Sequence, residues 1–170
     1  MTEFQVVGPF GIPVYRGASG RIIRKEDGEE FFKTHQGYGD RVGCYVFGMR
    51  AGRGITPVYV GKTNRRFLAE CFTSDKLTKY NRCLVDYLRG TPVMFFVVLP
   101  KKRGVDNKAH IKELEEFLIQ AGVAANPDLL NVKGTKKAEW SIIGVLRTGR
   151  GKPSQAASSF KNMMKLPARR

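Results

Sequence analysis

Acidic side chains are scarce in this sequence: 15 Asp and Glu stand against 30 Lys and Arg, for a net charge of +15. A field of that sign draws polyanions and speeds their capture. Nucleic acid is the first partner it suggests, because each neutralised phosphate releases counterions. An anionic membrane is the second, and a basic protein kept soluble by its charge is the plain alternative. Long apolar runs are absent. The longest, Pro92 to Pro100, is far below the roughly 20 residues of a spanning helix, so no membrane segment is expected. The start, MTEFQVVGPFG, has no charged stretch followed by an apolar one and does not read as a signal peptide. Cysteine and histidine are few. Cys44, Cys71 and Cys83 are odd in number, lie in apolar patterns and lack zinc-type spacing, and His35 and His110 do not complete a site for them. A disulfide framework is therefore excluded, and buried reduced thiols in a cytoplasmic protein are the expectation. No repeat or long low-complexity tract occurs.

Enough apolar residues remain, 42 %, to build one core. Charge is distributed unevenly. Residues 1–61 carry +2, residues 62–103 carry +7, residues 104–131 carry −3 and residues 132–170 carry +9. A single acidic island between two basic stretches suits a site that holds phosphate with cations and a metal with a carboxylate. One ordinary helix with a solvated acidic face explains it equally well.

The pattern predicts an α/β chain: a small, mainly antiparallel sheet of about three strands flanked by helices. The first 42 residues read as an irregular extension, with Gly8, Pro9, Gly11 and Pro13 breaking up the start and a short helix over Glu26–His35. Cys44–Met49 and Pro57–Gly61 read as strands around a seven-residue Gly-rich connection, an antiparallel hairpin with a loose loop. Helices are expected at Arg66–Phe72 and Tyr80–Leu88, the latter with Leu84, Val85 and Leu88 on one face. Pro92–Leu99 is the best strand, apolar enough to be buried on both faces. Lys101–Asn107 reads as a loop. His110–Ala121 is the best helix, with a stripe of Ile111, Leu114, Phe117, Leu118 and Ala121 closed by Gly122. A turn at Asn126–Asp128 leads to a short extended segment. The apolar stretch Trp140–Leu146 leaves strand and helix equally open. Residues 133–170 read as a basic extension ending in a helix over Ser154–Leu166, with Ala156, Ala157, Phe160, Met163 and Met164 inward.

Four features fall into this order. Gly43-Cys44-Tyr45 opens the first strand of the hairpin. Tyr59-Val60-Gly61-Lys62 closes the second, separated from the first by 13 residues. Glu115 sits in the best helix and is followed by Leu118 and Ile119. Asn131 follows a Pro-containing turn. Alone, each has an ordinary explanation: strand aromatics, strand-ending glycines, a solvated carboxylate, a turn residue. Together they resemble the GIY-YIG nuclease superfamily over about residues 43–132.

The resemblance implies a metal-dependent endonuclease that hydrolyses phosphodiester bonds, with DNA ahead of RNA as the substrate. Glu115 would hold a single Mg²⁺ or another divalent cation, a hard ion suited to oxygen ligands. Tyr45 would activate the attacking water, assisted by Tyr59. Lys62 would supply the cationic field that a phenol with a pKa of about 10 needs to act near neutrality. Gly61 would let the nucleic-acid backbone approach, and Asn131 would orient groups around the phosphate. The family's phosphate-binding Arg has no counterpart: its place falls near Ala69 and Glu70, and the His that follows it is also missing. Arg65, Arg66, Lys76, Lys79 and Arg82 are the cations expected to replace it. Two readings stand beside the nuclease. One is a non-catalytic nucleic-acid binder on the same scaffold, and the other is an interaction protein that docks through its basic tail.

Overall fold

The computed structural model describes residues 2–18, 20–52, 54–99, 108–131, 133–135, 142–143, 145 and 152–164. The chain divides into two compact units, Met1–Thr135 and Lys136–Arg170. The expected loop at Lys101–Asn107 and most of Trp140–Leu146 lie outside the described residues.

The first unit is α/β. Its strands are β1 (Gln5–Gly11), β2 (Tyr15–Gly17), β3 (Gly20–Ile22), β4 (Gly43–Ala51), β5 (Gly54–Thr63) and β6 (Thr91–Val98). Its helices are α1 (Lys25–Thr34), α2 (Gln36–Gly39), α3 (Phe67–Glu70), α4 (Ser74–Asp86) and α5 (Lys108–Ala125). The main sheet has four strands, in the order β1-β6-β4-β5, rather than about three. Its three pairings are all antiparallel. The unforeseen strand is β1. Its pairing with β6 runs from Gln5 to Val7, shifts register, and resumes at Phe10. The irregularity absorbs Gly8 and Pro9, which a regular ladder would not accept. Residues ahead of Gly43 thus belong to the sheet that carries the motifs.

The hairpin is tighter than the composition suggested. Pairing continues from Gly43↔Thr63 out to Ala51↔Gly54, leaving two residues between the strands instead of seven. Gly52 has a φ of +57°, the left-handed conformation that two-residue hairpin turns require. Gly43 is constrained more tightly still. Its φ is +142°, and a Cβ there would lie 2.1 Å from the Val97 carbonyl oxygen.

The two faces of the sheet carry different cores. Tyr45, Phe47 and Phe96 join Phe31, Phe67 and Tyr80 on one face. Phe47 lies parallel to Tyr80 at 4.1 Å between centroids, and Phe67 meets Phe96 at 4.5 Å. Rings of this size bury about 150–250 Å² each, so this face dominates the stability of the unit. On the other face α5 lays Ile111 against Cys44 and Val97, and Ile119 and Val123 against Val60. All three cysteines are buried and free.

Three helices depart from their expected limits. α4 begins at Ser74, a turn and a half before Tyr80, and buries Tyr80, Cys83 and Leu84, while Val85 and Leu88 are exposed. α5 runs through Gly122 to Ala125, because Leu129 folds back against the space that glycine leaves. Its buried stripe is Ile111, Ile119, Gly122 and Val123, and Phe117 points outward. α3 is a single turn. In the second unit α6 (Gln155–Met163) is capped by the Ser154 hydroxyl, which accepts from the Ala157 N–H at 3.1 Å. Ala157 is buried, but Phe160, Met163 and Met164 are exposed rather than inward.

Candidate functional site

The sheet alternation decides where each motif residue goes. Tyr45 faces Gly61 across the β4–β5 pair, and Cys44 faces Lys62. Directly opposed residues share a face. Tyr45 and Gly61 therefore sit over the aromatic core, and Lys62 sits on the α5 side. On α5, Glu115 lies one helical turn from Ile111 and one from Ile119, both buried, so its carboxylate is carried on the sheet-facing stripe. A carboxylate at a core position needs a partner. It has one: Lys62 Nζ donates to Glu115 Oε2, with the two side chains 31 % and 19 % exposed.

Lys62 and Glu115 open into a cleft of about 330 Å³ beside β5. Tyr59, Lys79, Ile119, Asn131 and Lys133 complete its walls. Tyr59, Lys62, Glu115, Lys79 and Asn131 are thus brought together from one strand, two helices and the segment after α5. Lys76 lies just behind, with its Nζ 5.7 Å from the centroid of the Tyr59 ring, while Lys79 Nζ lies 5.5 Å from it. Burial pushes the Tyr59 phenol up, and the charge and hydrogen-bonding reach of Lys76 oppose that shift.

Tyr45 is placed differently. Its side chain is fully buried, and among the described residues its hydroxyl, like that of Tyr80, has no hydrogen-bond partner. Burial pushes its ionisation far above the ordinary phenol value, the opposite of what a base needs. Its ring is 6.2 Å from that of Tyr59 but does not line the cleft. Gly61 is explained by the same packing: a Cβ there would lie 2.3 Å from Tyr45 Cζ and 2.4 Å from its hydroxyl oxygen. The glycine makes room for a tyrosine ring of the same sheet.

Asn131 is committed to the backbone. Its Oδ1 accepts from the Val60 N–H at 2.9 Å, and its Nδ2 donates to the Val60 carbonyl at 2.7 Å. Asn126 Nδ2 donates to Pro57 O at 2.7 Å, and the Leu130 N–H donates to Val58 O at 2.8 Å. The segment after α5 therefore closes the open edge of β5, and the side-chain amide of Asn131 substitutes for a neighbouring strand.

The remaining cations scatter. Arg65 is exposed at the end of β5, where its N–H donates to Thr63 Oγ1. Arg66 reaches Asp40 at 4.0 Å. Arg82 lines a separate hollow with Asp86, Asn126 and Asp128. Glu70, where the resemblance would call for an Arg, contacts Lys76 Nζ at 3.4 Å. Lys133, which the sequence reading did not single out, lines the cleft; its only signal was being the first cation after Asn131. Among the described residues no group of three or more His, Cys, Asp and Glu side chains converges as a metal centre. Glu115, the one carboxylate lining the cleft among the described residues, is an oxygen donor of the kind Mg²⁺ uses, and Lys62 holds it. No protein-family model, curated protein or solved structure matches the chain, so the geometry carries the functional argument.

Proposed function

We propose that the cleft is a phosphodiester-hydrolysing site and that the protein is a metal-dependent endonuclease of the GIY-YIG type, acting on DNA. The observation that carries this reading is the convergence in one cleft of Tyr59 and Lys62, neighbours on β5, with Lys79 and with Glu115, 53 positions after Lys62. Glu115 would hold the divalent ion, which stabilises charge on the phosphate and the leaving oxygen when bound. Lys79 and Lys133 grip phosphate oxygens, the work expected of the missing Arg. Lys62 faces the same group once Glu115 is otherwise engaged. Tyr59, the motif tyrosine that meets solvent, orients the attacking water. Tyr45 supports it from below as a packing residue. The test is plasmid cleavage with Mg²⁺ by the natural protein and by Glu115→Gln. Loss of the carboxylate is expected to lower the rate about 100-fold or more. Equal cleavage by both proteins would sink the assignment.

A second reading, a non-catalytic nucleic-acid binder, is favoured by two features. Glu115 is already paired with Lys62, and Glu70 stands where the family places its phosphate-binding cation. It predicts binding that weakens steeply with salt, with no cleavage at any divalent ion concentration.

A further inference from the structure

Lys76 and Lys79 lie together on the first turns of α4. Both ammonium groups stand over one ring, that of Tyr59. Their side chains are only 14 % and 22 % exposed, low for lysine. Charges held at that depth need a counter-ion. Asp75 supplies it: its carboxylate meets Lys76 Nζ at 3.2 Å through one oxygen and Lys79 Nζ at 2.5 Å through the other. Asp75 is itself 63 % exposed, so the carboxylate occupies the solvent side of the lysine pair. Two oxygens of one anion, each against its own ammonium, reproduce how two oxygens of a phosphate would be held.

We propose that Lys76 and Lys79 form an anion subsite for a phosphodiester group of a nucleic-acid strand, and that the Asp75 carboxylate occupies this subsite until the phosphate displaces it. Glu70 continues to neutralise Lys76 after the exchange, so Lys79 contributes most of the gain. Exchange of one anion for another makes a lone phosphate a weak competitor. A strand that also reaches Lys133 across the cleft brings several phosphates at high effective concentration and wins. Asp75 thereby selects a polymer over free phosphate. This deepens the reading of the cleft given above, but it needs only binding and not cleavage.

The experiment measures a labelled single-stranded oligothymidylate by fluorescence anisotropy, with chelator and no divalent ion, and inorganic phosphate as competitor. Asp75→Asn is expected to tighten binding about three- to tenfold, the scale of one released charge-assisted contact. Glu30→Gln is the control, since Glu30 is exposed on α1 and its loss changes net charge equally; its expected effect is below about twofold. Lys79→Gln is expected to weaken binding and to abolish the gain from Asp75→Asn in the double variant. Inorganic phosphate should compete at lower concentration in Asp75→Asn. Equal tightening by Asp75→Asn and Glu30→Gln overturns the proposal, because only overall charge would then be at work. A gain that survives in the Lys79→Gln background overturns it too. So does capture by phosphatidylglycerol vesicles without affinity for the oligonucleotide. A protein that passes these tests yet cuts no plasmid loses the nuclease reading and keeps the subsite.

Discussion

β4 and β5 carry the two halves of one motif pair, yet they treat their tyrosines in opposite ways. β4 is an interior strand, paired with β5 on one side and β6 on the other, and helices cover both of its faces. Its Tyr45 is sealed in the core, with a hydroxyl that finds no partner among the described residues. β5 is an edge strand, and its Tyr59 reaches the cleft with two lysines beside the ring. The same residue type in the same local pattern thus becomes packing in one strand and a site wall in the next. The difference comes from what lies alongside the strand. An interior strand is flanked by strands on both sides, whereas the outer side of β5 is covered only by the segment after α5, beside which the cleft opens.

The largest expected effect breaks the comparison at β4. Gly43→Ala should cost about 3 kcal/mol or more, because it combines a strained φ with overlap onto backbone that cannot move. Urea unfolding reads this directly, and a natural midpoint in the variant would refute the close approach to Val97.

Alkaline pH tests the sealed core next. Burial pushes the Cys44 and Cys83 thiols up to about 12 from an ordinary 9.0. The native state then keeps protons that the unfolded chain releases, so stability is full below pH 9 and falls as pH rises toward 12. The expected slope is at most about 1.4 kcal/mol per pH unit for each thiol. Unfolding midpoints at pH 8, 10 and 11 should decline in that order; a flat profile would contradict the burial.

Asn131→Ala weakens β5 from its outer side. It leaves the Val60 N–H and carbonyl without their side-chain partner, for an expected loss of about 1–3 kcal/mol. If stability holds while nucleic-acid binding fails, Asn131 belongs to the ligand rather than to the sheet edge.

The finest test sets Tyr45→Phe against Tyr59→Phe. Removal of the Tyr45 hydroxyl should change stability by less than about 1 kcal/mol and leave cleavage near natural. Tyr59→Phe should keep stability and lower cleavage about tenfold. The reverse pattern in kinetics would place the chemistry on the buried side.

Much of the local order was legible in the residues. The run Pro92–Leu99 is apolar at every position that an interior strand buries, and it is β6. The β-forming runs around Tyr45 and Tyr59 and the Gly-rich connection between them predicted an antiparallel pair, and the pair exists. Other features were hidden for physical reasons. Gly8 and Pro9 conceal β1, because a bulge breaks the period that reveals a strand. Phe117 seemed to belong to the core stripe of α5, since apolar character cannot say which of two neighbouring stripes faces the sheet. The apolar stripe puts Glu115 on a helix, and the spacing to Leu118 and Ile119 that the resemblance implies singles it out from Glu113 and Glu116. The contact of Glu115 with Lys62, 53 positions earlier, has no local signature.

The sequence by itself determined the excess of positive charge, the alternation of the strands, the pairing of the two motif strands and the lack of any apolar run long enough to span a membrane. These depend on composition and on neighbours a few residues away. Only the tertiary structure decided that β4 lies inside the sheet and β5 at its edge, that Tyr59 and not Tyr45 meets the cleft, and that Lys79 rather than an arginine stands there. Those outcomes depend on which strand the chain returns to, and β1 and β6 settle that from 30 to 50 residues away.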